Sequence, residues 1–461
     1  MDVPGLVRQL SKIVGKKNAL TEKADLETYG YDSSIYFHLP QVVVLPESTE
    51  QVSQIIKLAN AYKVPVVARG GGTSLSGGAV PIQGGIVIAT SRMNKVLEVD
   101  VINERAIVQP GITNLDLQHE LEKYGYFFAP DPASQRASML GGNIAENAGG
   151  MHCVKYGNTR DHITGLEIVL ANGDVVYTGE MDQEYQSPDI TNLFCGSEGT
   201  LGVITKAMVR LTRCQEAVGT LLAVFGSLED AGNAVSEIIA HGILPASLEI
   251  MDDVIVKSLI KYLNVDLPSE GEAVLIVEVA CYEIELETQM AEIIKFFEAN
   301  NALSYRQATE AAERAQLWWA RTAINGIFGL LGEAQLVHDP SVPVDKIGRF
   351  MSGAAEIGKK YGLIICKTVH AGDGNLHPAI MFNYSVPGQF EAAEKASDEI
   401  LQLAIDLGGN ITGEHGIGLE KIRFMPWQFS ATELNFMKRL KLTFDPEQIL
   451  NPGKIFEMSE P

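Results

Sequence analysis

Three glycine-rich stretches fall within the first 205 residues: RGGGTSLSGG at 69–78, LGGNIAENAGG at 140–150 and GSEGTLGVIT at 196–205. Glycine admits left-handed backbone and lets main-chain N–H groups approach a ligand closely, but it weakens helices and strands. A single such stretch is a tight turn. Three in one region point to a fold that gathers loops around a ligand, and successive N–H groups make a cradle for an anion such as a pyrophosphate. RGGGTSLSGG follows a strand-like run, VPVVA (64–68), which invites comparison with a dinucleotide-binding turn. The comparison fails, because G-x-G-x-x-G requires glycine where Leu75 stands and the next element, GGIVIAT (84–90), reads as a strand. Nor does the loop carry the Gly-Lys-Ser/Thr of a Walker loop. What remains is a helix-free cradle in which Thr73, Ser74 and Ser76 add hydroxyl donors.

At 461 residues the chain is too long for one core, and two domains are expected. The net charge of −22 disfavours nucleic acid and anionic membrane surfaces as partners. A small anionic substrate then needs local positive charge. No apolar run reaches the ~18 residues of a membrane helix, and MDVPGLVRQLSKIVGKKN reads as an amphipathic helix rather than a signal sequence. The expectation is a cytoplasmic chain that is not an integral membrane protein. Cys153, Cys195, Cys214, Cys281 and Cys366 include no CxxC pair. This fits a reducing compartment and argues against an iron–sulfur cluster or cysteine zinc site within the chain. Any redox cofactor is then organic, with later carriers on other proteins.

Residues 1–37 read as helical, followed by a loop. Between 40 and 110, strands alternate with one helix, STEQVSQIIKLANAYK, whose N-cap is Ser48 or Thr49. Residues 113–124 form a further helix. The stretch 130–157 is expected to hold no helix or strand longer than a few residues, although Leu140, Ile144 and Ala148 argue against disorder. ITGLEIVLANGDVVYTG (163–179) reads as a hairpin about Asn172-Gly173. After residue 215, strand-like runs such as AVLIVEVAC alternate with long amphipathic helices near 227–241, 283–300, 309–331 and 386–407. This half reads as α+β, with helices on one face of an antiparallel sheet.

The second half carries HAGDGNLHP (370–378) and, further on, GEHG (413–416). His370 and His377 flank a Gly-Asp-Gly-Asn turn; Glu414 and His415 adjoin. Two imidazoles and a carboxylate can hold a divalent metal and leave positions open for substrate. A lone histidine here would simply cap or pack the strand. Three donors and a turn that could bring the two histidines together keep open a site of His370, His377 and Glu414 for zinc, manganese or iron. A neighbouring imidazole, His415, is placed to move a proton.

Taken jointly, VPVVARGGGTSLSGGAVP, PDPAS, GGNIAENAGG, KYG, GSEGTLGVIT, HAGDGNLHP, GEHGIG and DPEQILNPGK cover nearly the whole chain in order. In this combination the chain resembles FAD-binding proteins of the vanillyl-alcohol oxidase type. Within them it is similar to the group of the glycolate oxidase GlcD subunit and the FAD-linked D-lactate and D-2-hydroxyglutarate dehydrogenases. The resemblance implies an α+β fold: a two-subdomain FAD-binding domain at 38–215 and an α+β cap domain with a large antiparallel sheet covered by helices at 216–411. An N-terminal helical segment occupies 1–37, and the segment 412–461 returns to the flavin.

The resemblance also assigns residues. Arg69, Gly70, Gly71, Gly72, Thr73, Ser74 and Leu75 would hold the pyrophosphate, and Gly78 would also bind the cofactor. Pro130, Asp131, Ser134, Gly141, Gly142, Asn143, Ala145, Asn147, Gly149 and Gly150 would serve the pyrophosphate and isoalloxazine sides, and Tyr156 and Gly157 would also bind the cofactor. Glu198, Gly199, Gly202 and Ile204 would contact the adenosine part, and Asn451 would close over the flavin. Despite His152 and Cys153, the FAD is expected to be non-covalent.

The implied reaction is oxidation of a small 2-hydroxy acid by hydride transfer from C2 to flavin N5, with His415 as base. Arg321, in TEAAERAQLWWARTAI (309–324), would clamp the substrate carboxylate, and Asn375 would touch substrate. Trp318 and Trp319 read as helix core, Asp373 as a turn stabiliser. Relatives acting on a dicarboxylate carry a further basic residue where this chain reads LVHDPSVP (336–343), with His338 but no Lys or Arg. That favours D-lactate or glycolate over D-2-hydroxyglutarate. Electrons would pass to an electron-transfer flavoprotein or an iron–sulfur subunit; an oxidase using O2 is the alternative.

Overall fold

A computed structural model describes residues 3–181 and 188–457. The chain forms two compact units. Unit one comprises the chain up to Gly149, Gly157–Cys214 and the chain from Glu414 onward; unit two comprises Gly150–Tyr156 and Gln215–Gly413.

Unit one holds two main sheets. In the first, Val42–Val44 and Val66–Arg69 pair in parallel with Ile86–Ala89 between them, and Ala19–Leu20 adds an antiparallel edge. The two inner strands are continuous apolar runs, as both faces are covered. One cover is the helix Thr49–Tyr62. Ser48 Oγ accepts from Gln51 N to start it, and Lys63 ends it in left-handed backbone at φ 51°. Its Val52, Ile55, Ile56 and Ala59 share one stripe and pack with Val42, Val44, Val66, Ile86 and Ile88. The second sheet is antiparallel and five-stranded, in the order Val96–Asp100, Arg105–Val108, Val203–Arg210, Ile163–Val169, Val175–Gly179. Its last two strands form the hairpin expected about Asn172-Gly173.

One expectation fails here. Residues Leu140–Glu146 form a seven-residue helix within the glycine-rich stretch. Leu140 and Ile144, one turn apart, are fully buried in the core of the five-stranded sheet. Their burial, worth about 2 kcal/mol each, outweighs the roughly 1 kcal/mol that each of Gly141 and Gly142 costs a helix.

Unit two is built on a seven-stranded antiparallel sheet. Its order is Ala302–Ala308, Ala217–Phe225, Ala273–Cys281, Ser247–Asp252, Ile364–His370, Asn375–Phe382, Ala334–Val337. Helices cover both faces, not one as the sequence suggests. Leu228–Ala240, Glu283–Ala299, Ile347–Tyr361 and Gln389–Asp406 pack on the face bearing Leu221, Leu248, Leu275 and Ile380. Asp253–Leu263, Ala311–Thr322 and Ile324–Leu331 pack on the face bearing Leu222, Met251, Ile276 and Met381. Strands such as AVLIVEVAC are apolar at successive positions, so neither face is left to solvent. Asp253–Leu263 is a helix the sequence reading missed. Asp252 caps it, accepting from Ile255 N at 3.0 Å.

Candidate active site

In unit one the three glycine loops converge. Arg69 ends a strand and is buried, donating to the Tyr31 carbonyl at 2.6 Å. Gly71 lies so close to residues 137–138 that a Cβ there would collide with the Ala137 carbonyl. That contact ties the 69–75 loop to the segment 130–138, which opens with PDPAS. Asn114 Nδ2 fixes the same segment by donating to the Pro130 carbonyl at 2.9 Å. Gly196 N donates to Ile144 O and Glu198 N to Ala145 O, which joins the second loop to the third. Asn451 Nδ2 donates to Gly78 O at 2.9 Å and Glu198 O at 2.7 Å, which joins the third to the first through the C-terminal segment. Glu198 also accepts from Ile417 N and Gly418 N, both at 2.7 Å, and so anchors the GEHGIG motif. Gly149 N donates to Glu414 Oε2 at 2.9 Å, and Ser76 Oγ donates to His415 O at 3.0 Å.

Several assigned residues have packing roles as well. Ile204 and Asn143 are buried, and a Cβ on Gly202 would press on Ile168. Gly150 and Tyr156 belong to unit two. By contrast, a Cβ at Gly142 would meet no atom within 4 Å among the described residues. The bare backbone there suits close approach by a ligand. So does the adjoining Glu146, whose Oε2 is buried with no hydrogen-bond partner among the described residues. Burial, then nearby Glu198 and Asp32, pushes the Glu146 carboxyl well above the usual range. Burial pushes the Lys454 ammonium down to about 8 while the same carboxylates pull it upward. Lys454 donates to Val80 O at 2.6 Å and Gly78 O at 3.2 Å, bracing the first loop from beneath.

In unit two, one sheet face gathers the polar candidates. Glu249 on Ser247–Asp252 is the direct cross-strand partner of His370, and His370 that of Asn375. The His370 and His377 rings meet edge to face, 4.9 Å apart. Glu249 is fully buried and lies 2.6 Å from His370 Nδ1 through Oε1 and 2.6 Å from Arg321 Nε through Oε2. Burial alone would raise its carboxyl; the electrostatic pull of His370 and Arg321 and the hydrogen bonds they donate outweigh this and hold it below the ordinary value. Arg321, in the last turn of Ala311–Thr322, is thus held against this face of the sheet.

Asn375 is buried, and its Oδ1 has no partner among the described residues. Its N–H is held by Asp373 Oδ1 at 3.1 Å, the turn role expected of Asp373. A Cβ on Gly413 would collide with the Asn375 carboxamide, and Gly413 N is fixed on Asp339 O at 2.7 Å. Glu414 is the next residue in the chain.

Sequence reasoning missed Glu249. It also missed Glu278, whose carboxylate accepts from Trp318 Nε1 at 2.7 Å and lies 3.1 Å from His152 Nε2. The available signal was an acidic residue inside each otherwise apolar strand, SLEIMD and AVLIVEVAC, since a buried carboxylate demands partners. Trp319 is not helix core as expected but is 47% exposed. His338 is buried, with Nε2 2.6 Å from Ser397 Oγ.

Residues 40–179 match the FAD binding domain family, and residues 214–455 match the C-terminal domain of FAD linked oxidases. The chain belongs to the FAD-linked oxidases. It is 39% identical over 450 residues to the glycolate oxidase subunit GlcD of Bacillus subtilis, covering 97% of this chain and 96% of the relative. It is 38% identical over 420 residues to the D-lactate dehydrogenase of Archaeoglobus fulgidus, covering 90% and 91%. Among solved structures, p-cresol methylhydroxylase superposes with a TM-score of 0.82 at 18% identity, over 98% of this chain and 96% of that one. The last likeness establishes the fold, that of the vanillyl-alcohol oxidase type. The protein is therefore an FAD-binding oxidoreductase of the GlcD and D-lactate dehydrogenase type. Among the described residues, no helix is long and apolar enough to cross a membrane.

Proposed function

We propose that this FAD-linked oxidase is a D-2-hydroxy-acid dehydrogenase that converts D-lactate or glycolate to the 2-oxo acid. The observation that carries the reading is the buried Glu249, which joins a histidine of metal-binding type to an arginine suited to a carboxylate. The names of the relatives, a glycolate oxidase subunit and a D-lactate dehydrogenase, point to the same substrate class.

Bound FAD supplies the hydride acceptor for the hydrogen on substrate C2. The paired imidazoles of His370 and His377 supply two nitrogen donors, and with the oxygen donor that the GEHG motif offers in Glu414 they would suit a divalent zinc, manganese or iron ion. Such an ion supplies Lewis acidity that makes the substrate hydroxyl easier to deprotonate. His415 takes that proton. Arg321 holds a carboxylate oxygen of the substrate through its terminal nitrogens, its Nε being engaged by Glu249. Asn375, buried opposite His370 in the strand pair, contacts the substrate. A monocarboxylate suits the site, because LVHDPSVP holds no Lys or Arg and His338 is turned to Ser397. With no CxxC pair, the chain passes its electrons to a partner protein, an electron-transfer flavoprotein or an iron–sulfur subunit. The five cysteines form no disulfide with one another, which fits a cytoplasmic setting.

The test is anaerobic mixing of the oxidised holoprotein with D-lactate, glycolate and D-2-hydroxyglutarate in turn. Flavin bleaching by the first two, faster than by the third, is expected. Bleaching by D-2-hydroxyglutarate alone would overturn the substrate assignment.

A further inference from the structure

We infer that Glu249 is a positioning residue that sets two parts of the site at once, the tautomer of His370 and the aim of Arg321. The inference rests on the metal reading of His370 and His377 given above.

The two functional side chains reach Glu249 from different elements, one across the sheet and one from the covering helix. The backbone register makes Glu249 and His370 direct antiparallel partners, and such pairs hold their Cβ atoms about 5 Å apart. Both carboxylate oxygens are used, Oε1 at 2.6 Å from His370 Nδ1 and Oε2 at 2.6 Å from Arg321 Nε. An ionised carboxylate only accepts, so the proton of a neutral His370 lies on Nδ1. The lone pair is then on Nε2, which would be the metal-ligating nitrogen. A carboxylate behind a ligating histidine fixes its ring and raises its basicity. On the other side, the bond to Nε orients the guanidinium plane and leaves the terminal nitrogens for a ligand carboxylate.

Glutamine has nearly the same shape but only one accepting end. In Glu249→Gln the amide oxygen can serve His370 or Arg321, and the NH2 group then faces the other. If NH2 faces the imidazole, Nδ1 must accept, and the proton shifts to Nε2, where it blocks the metal. If NH2 faces Arg321, two donors oppose each other and the guanidinium turns away. Aspartate keeps both acceptors on a shorter stem.

The experiment compares wild type, Glu249→Gln and Glu249→Asp as FAD-loaded proteins. Divalent metal affinity is measured by competition with a chromophoric chelator, using zinc and manganese alone, and KM and kcat are measured for D-lactate. Glu249→Gln is expected to bind metal about 10–100-fold more weakly and to raise KM, with Glu249→Asp recovering part of both. Wild-type affinity and KM in Glu249→Gln would overturn the inference while leaving the metal reading intact. A wild type that binds neither metal would overturn both. Should the glutamine variant fail to fold, nitrogen-15 NMR of histidine-labelled, metal-free wild type decides. An Nδ1–H tautomer at His370 is expected, and an Nε2–H tautomer would sink the inference.

Discussion

Arg321 meets Glu249 through Nε, at 2.6 Å, and not through the terminal fork. An arginine anchored this way can still offer two parallel N–H groups to a carboxylate. Lysine has one charged nitrogen and cannot do both. Arg321→Lys is therefore expected to raise KM for D-lactate at least ~10-fold, with a smaller effect on kcat, because the lost contact binds ground and transition states alike. An unchanged KM in steady-state assays would remove Arg321 from the substrate site.

Two glycines separate packing from cofactor contact. Gly71→Ala sets a methyl against the Ala137 carbonyl and should weaken both the fold of the loops and FAD retention. Gly142→Ala places its methyl where no described atom lies within 4 Å. It should leave the FAD-free protein at least as stable, by up to ~1 kcal/mol of helix propensity, yet lower FAD affinity by about tenfold or more, a difference of ~1.4 kcal/mol. Fluorescence titration with FAD reads the second effect; wild-type affinity in Gly142→Ala would place the flavin elsewhere.

Glu167 gives a pH test of unit one. Burial alone would raise its carboxyl, but Lys206 at 2.8 Å, Thr49 at 2.5 Å and Thr205 at 2.8 Å hold it below the ordinary value. A carboxyl lowered in the folded state adds stability that is complete above the unfolded pKa of about 4.3. That contribution is lost as pH falls through the folded value. Urea unfolding of wild type and Glu167→Gln should show a gap at neutral pH that closes in acid. A gap independent of pH would contradict the ionised role.

Much of this was legible beforehand. Asn172-Gly173 between two apolar runs fixed a hairpin because few other turns suit that pair; the glycine loops by themselves indicated an anion cradle, and the resemblance to vanillyl-alcohol oxidase-type proteins pointed to a flavin. The helix at Leu140–Glu146 was hidden because its two glycines speak locally, whereas the burial of Leu140 and Ile144 is tertiary. Glu249 was hidden for a related reason. Its partners lie 72 and 121 residues away, and only strand register brings His370 opposite it.

A second buried pair bears on stability alone. Lys367 Nζ lies 2.7 Å from Asp252 Oδ2, with side chains 6% and 0% exposed. Lys367→Met leaves a buried carboxylate without its cation and should cost about 3–5 kcal/mol. Calorimetry of the single variant, and of the double variant Lys367→Met with Asp252→Asn, checks this. The double variant should regain part of the loss, and a single variant within ~1 kcal/mol of wild type would show the pair to be dispensable.

The central claim is that a metal held by His370 and His377 serves 2-hydroxy-acid oxidation by FAD. It is tested most directly by anaerobic absorbance of the holoprotein mixed with D-lactate, as isolated, after chelation and after restoring zinc or manganese. The account predicts that the flavin bleaches as isolated, stays oxidised when stripped and bleaches again on reloading. Equal bleaching of the stripped protein, or none with either D-lactate or glycolate in any state, would contradict it.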